Sequence, residues 1–159
     1  MTKDSLMASA AQLTQPPAAV ASEFSEKRET LAAMVNRAMN ERDDLLKLVG
    51  VDGVRMSEDN NRNFPLFMES LFLEYHPEVL VDTALWVFRS YRSHGFAPIY
   101  WPANLDTWVE VLRRELSPHA FAAIFDFYRW LIINIPIFTR LTDAEVGSAG
   151  KTSGEHFHE

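Results

Sequence analysis

The stretch YRSHGFAPIYWPANLDTW, Tyr91 to Trp108, carries five aromatics, two prolines, one glycine and one histidine in eighteen residues. It lies between two segments whose apolar residues recur at spacings of three and four. Gly95 lets the chain turn, Pro98 and Pro102 stiffen it, and Phe96, Tyr100, Trp101 and Trp108 have the bulk to fill the gap between two helices. Read as the corner of a helical bundle, the stretch makes its flanks helices and the chain all-α.

Upstream of the corner, Pro77 opens a helix after the helix-disfavouring pair His76-Pro77 and Gly95 closes it. Leu80, Val81, Ala84, Leu85, Phe88 and Tyr91 form its main face. Trp86 and Val87 widen that face, which implies packing on two sides. Downstream, Pro102 or Asn104 starts a helix to Leu116, with Leu105, Trp108, Val109 and Leu112 inward. Ser117-Pro118 then pairs a cap with a first-turn proline and begins a last helix running to about Leu141. Pro136 lacks the N–H that would bond back to Ile132, so a kink or an early end is expected there.

Before the aromatic block, a short helix is expected over residues 65–75, with Asn63 as cap, and a polar, turn-rich loop over residues 51–63, VDGVRMSEDNNRN. That loop lacks the spacing of a calcium site. A long N-terminal helix is expected from Ser22 or Ser25 to about Val49, stopped by Gly50. Its apolar stripe is narrow and suits either the domain's own core or a second copy of the chain. Leu31, Met34, Val35, Ala38 and Leu45 are the candidate dimer contacts. The sequence therefore predicts a disordered arm over residues 1–21, one helical domain over 22–142 built as a bundle of about five helices, and a disordered tail over 143–159.

Composition narrows the function. At 159 residues the chain suits one domain, and of its 4 Trp, 4 Tyr and 11 Phe all but Phe24 and Phe157 fall between Phe64 and Phe138, which places the core there. The net charge of −7 is spread along the chain, so no basic stripe exists to neutralise phosphates and neither nucleic acid nor an anionic membrane is an expected partner. There is no cysteine, which excludes disulfides, thiolate catalysis and Cys-based metal sites. The N-terminus is too polar for a signal peptide, and the longest apolar run, Trp130–Phe138, falls far short of the ~20 residues that span a bilayer. A cytoplasmic protein is expected.

Catalytic patterns are sparse. None of the histidines inside the helical domain, His76, His94 and His119, stands three residues after a glutamate in the manner of a di-iron bundle, and His-Glu-x-x-His is absent, so no metal is expected. Ser93-His94-Gly95 puts two catalytic residue types side by side without Gly-x-Ser-x-Gly, and His94 is better read as interacting with the last carbonyls of its helix. Arg89, Tyr91, Arg92 and His94 gather near one helix end, where a small carboxylate or phosphate could meet them. A pocket at the edge of the corner would use Arg92, His94, Tyr100, Trp101 and Trp108. Two alternatives follow: a small-ligand enzyme using His94 with Arg92, and a haem-binding gas or redox sensor, for which His94 and His119 are poorly placed because both fall at helix ends.

The segment from His76 to Phe138 also resembles the globin-related helical sensor domains of bacterial signalling proteins, namely the non-haem N-terminal domains of stressosome co-antagonists. The likeness rests on helix order, the aromatic corner and the final aromatic helix. It implies a homodimer made by helix packing, no haem, and the receiving or relaying of a signal without catalysis. Those proteins carry a C-terminal output domain where this sequence has a short polar tail, which leaves the output to a separate protein partner. The expectation is a non-catalytic regulatory or sensor-like helical domain acting through protein–protein contacts.

Overall fold

A computed structural model describes the backbone of residues 2–151 and the side chains of residues 2–143. Among the described residues the chain is all-helical: α1 Lys3–Ala10, α2 Ala18–Asn40, α3 Leu45–Val49, α4 Gly53–Leu73, α5 Pro77–Ser93, α6 Tyr100–Glu115, α7 Pro118–Ile133 and α8 Ile135–Lys151. Helix α2 packs on α4, α6 and α7, while α5 packs on α1 and α8. No single described helix is long and apolar enough to cross a membrane.

Four boundaries follow the sequence signals. Pro77 is the first residue of α5, Gly95 takes the positive φ of 90° that ends the chain's run beyond it, Ser117 caps α7 by accepting from the Ala120 N–H at 3.2 Å, and the break before Pro136 bends α7 from α8 by 41°. Among the described residues eight helices replace the expected five, because the break before Pro136 divides the last helix, the arm adds one and the long first helix splits in two; the chain departs from expectation in three other places.

The first is the arm. Thr2 and Ser5 cap α1 reciprocally, and Leu6 and Ala10 are wholly buried. The Tyr75 hydroxyl donates to the Ala10 carbonyl at 2.6 Å and the Trp130 indole to Ser9 Oγ at 2.8 Å. Gln15 then bridges the end of α4, donating to the Leu73 carbonyl and accepting from the Tyr75 N–H. One leucine on a core partner, with satisfied polar groups around it, orders a segment whose composition alone suggests a coil.

The second is the long first helix. It begins earlier, at Ala18, and breaks at Glu41–Asp44, where Arg42 grips Asp44 two residues on at 2.9 and 3.0 Å. That local pair, with Asp43 beside it, competes with helical continuation. Leu31 and Val35 are fully buried and Leu45 nearly so, with Met34 and Ala38 half-buried. Leu31, Val35 and Leu45 of the stripe read as dimer contacts thus lie in the chain's own core, while Met34 and Ala38 keep partial exposure.

The third is the polar segment at residues 51–63, which is the first half of α4, with Pro65 inside the helix instead of at its start. Its inward face is polar. Ser57, Asn60 and Asn61 are buried at helical spacing with Met68 and Phe72, and they hydrogen-bond within the core. Ser57 Oγ meets the Tyr100 hydroxyl at 2.8 Å; Asn61 donates to Asn36 at 2.9 Å and accepts from the Trp108 indole at 3.0 Å. The tail expected over 143–159 is helical as far as Lys151, and residues 152–159 lie outside the described residues.

Candidate functional site

The aromatic corner is filled by its own side chains. Tyr91, Phe96, Tyr100 and Trp101 meet in a series of edge-to-face contacts at centroid distances of 4.9 to 5.5 Å, and Trp101 stacks on Phe88 at 4.8 Å. The Ala97 N–H donates to the Leu48 carbonyl at 2.8 Å and ties the corner to α3. Gly53 closes the joint, because a Cβ there would come within 2.9 Å of Val49 and 3.1 Å of Phe96.

The five residues proposed to line one pocket are dispersed. Arg92 turns to α8 and pairs with Asp143. His94 is exposed and donates through Nδ1 to the Ser90 carbonyl at 2.8 Å, finishing its helix. Tyr100 and Trp108 are fully buried on α4's polar face. Successive helical residues are rotated by about 100°, so proximity in sequence at the end of α5 does not become convergence in space. Only Trp101 lines a cavity of the expected apolar kind.

That cavity is a cleft of about 290 Å³ between α4 and α5. Asn60, Asn63, Phe64 and Phe67 supply the α4 wall. Thr83, Val87 and Tyr91, four residues apart, supply the α5 wall, with Ala84 and Phe88 behind them and Trp86 at the rim. Trp101 and Leu105 of α6 and Leu131 of α7 complete it. No lining residue is charged. Trp86 is 57% exposed although it borders this apolar surface. Burial raises the Tyr91 hydroxyl's pKa, with the Asp59 carboxylate adding to the effect, so this phenol is a hydrogen-bonding group and not a base at neutral pH.

Among the described residues three buried polar side-chain atoms have no hydrogen-bond partner, an Arg92 guanidinium nitrogen, Asn104 Oδ1 and the Tyr128 hydroxyl, and none of these residues lines the cleft. Asn104 sits between Trp101 and Leu105 on α6, and Tyr128 one turn before Leu131 on α7. Burial drives the Tyr128 pKa strongly upward.

The broad apolar face of α5, with Trp86 and Val87 widening it, signals a helix with two neighbours, and these are α1 and α8; the cleft lies on a further side, toward α4. The α4 wall was hidden by its polar composition. No group of three or more histidines or carboxylates among the described residues is placed to hold a metal ion, and His76, His94 and His119 are all exposed away from the cleft lining. A haem seated in the cleft would find no imidazole as axial ligand. The chain matches no known protein family, no curated protein and no solved structure.

Proposed function

We propose that the protein is a regulatory or sensor-like helical domain that works through contacts with a protein partner and not by catalysis, with the outer face of α5 as the contact surface. The observation that carries this reading is Trp86, a large side chain 57% exposed on the rim of an uncharged apolar cleft. Exposed tryptophan beside a desolvated pocket is the composition of an interface hot spot. Val79 lies two turns earlier on the same face and is 40% exposed, so the apolar surface extends along the helix.

The reading keeps the likeness to globin-related non-haem sensor domains and a homodimer as one form of the contact. Since Leu31 and Val35 of the α2 stripe are taken up by the chain's own core, a second copy would meet the protein through α5. The proposal includes no cofactor. A photo-crosslinking residue placed at position 86 tests it against the same residue at Arg37, an exposed position on charged α2 surface. The expected outcome is a discrete crosslinked protein, or a crosslinked dimer, from position 86 only. Equal yields from both positions would remove α5 as the contact face.

A further inference from the structure

We infer that the cleft between α4 and α5 binds a small, neutral, largely apolar molecule with a ring and a single hydrogen-bonding group. Three observations converge. The cleft has about 290 Å³, near the lower end of the range for small-ligand pockets, and is too confined for a helix about 10 Å across. Its walls are aromatic and aliphatic with no charged side chain, so a carboxylate or phosphate would lose its water without gaining a counter-ion. Polar side chains stand within these walls, Asn63 on α4 and Thr83 and Tyr91 on α5, so the slot offers a few hydrogen-bonding groups in an otherwise apolar lining.

A ligand with one N–H or O–H group can bury its ring against Phe64, Phe67 and Trp101 and donate to the Tyr91 hydroxyl in the α5 wall. Polar recognition at one end of an apolar slot fixes orientation. As the signal of a sensor, this ligand rests on the regulatory reading above; as a binding event, it stands on the cleft alone.

N-phenyl-1-naphthylamine, which is neutral, aromatic, carries one N–H and brightens in apolar surroundings, is the probe. The full chain is expected to bind it saturably at one site, with intermolecular nuclear Overhauser effects to Val87, Leu105 and Leu131. Val87→Trp and Thr83→Phe, which fill the cleft from half-buried wall positions, should weaken binding about tenfold or more while circular dichroism stays unchanged. Non-saturable fluorescence, or Overhauser effects confined to other residues, would overturn the inference whether or not the variants fold. Filled-cleft variants that keep probe affinity yet lose crosslinking at position 86 would assign the cleft to a partner's side chain and overturn it too. Probe binding without any crosslink at position 86 would leave the site standing and remove the regulatory contact instead.

Discussion

Asn61 holds two helices to α4 with one amide. Its side chain is fully buried, donating to Asn36 of α2 and accepting from the Trp108 indole of α6. The amide has both a donor and an acceptor end, and each is used once, the donor toward half-buried Asn36 and the acceptor in a fully buried bond from Trp108. Replacing it with leucine keeps the bulk but leaves the Trp108 N–H and the Asn36 carbonyl oxygen unpaired. Asn61→Leu is expected to cost about 1–3 kcal/mol in urea denaturation. Trp108→Phe removes the donor at the cost of some packing, so the double variant should lose clearly less than the sum of the two. Strict additivity would show that the hydrogen bond contributes nothing measurable. The same geometry explains why α4 reads as a loop: Ser57, Asn60 and Asn61 keep the helical period but not the apolar composition by which a periodicity is recognised.

Among the elements, α1 is the one whose contribution most departs from its composition. Eight residues with a single large aliphatic buried side chain are too short to be helical alone. Their order comes from α5, from the Tyr75 and Trp130 hydrogen bonds and from the Thr2–Ser5 cap, and not from propensity. The Lys3–Asp82 pair at 2.8 Å is exposed on both sides and adds little. Leu6→Ala should therefore destabilise the whole domain by about 2–5 kcal/mol, read by denaturant midpoint. A change near zero would mean that the segment does not dock. Helices α5, α6 and α7 were legible because proline, serine and glycine punctuate them and their apolar faces are wide. The arm, the break at Glu41–Asp44 and the polar half of α4 were not, because each depends on a partner distant in sequence or on a local charge pair that competes with the helix. The cleft inherits this division, with the helix of its α5 wall foreseeable and that of its α4 wall not.

Across the whole molecule the four tyrosines report on one property, the dryness of the interior. Tyr75, Tyr91, Tyr100 and Tyr128 come from the α4–α5 link, α5, α6 and α7, and burial raises the pKa of every one, Tyr75 and Tyr100 to about 12. In the unfolded chain the same phenols ionise near pH 10. Between these limits the unfolded chain sheds protons that the folded chain retains, so stability is full below pH 10 and falls as the pH climbs toward 12. Tyrosinate absorbance should accordingly be missing near pH 10 in the folded protein and rise at higher pH together with the loss of helical circular dichroism. Tyr91 connects this behaviour to the candidate site, because its hydroxyl is half-buried in the cleft wall and raised by burial with Asp59 adding to the effect. An apolar molecule filling the cleft strips away its remaining water and should push the Tyr91 ionisation further upward, a ligand-dependent change that a Tyr91→Phe variant should not show. A normal four-tyrosine titration at pH 10 with the helices intact would show that water reaches the interior, and the sealed aromatic core would have to be given up.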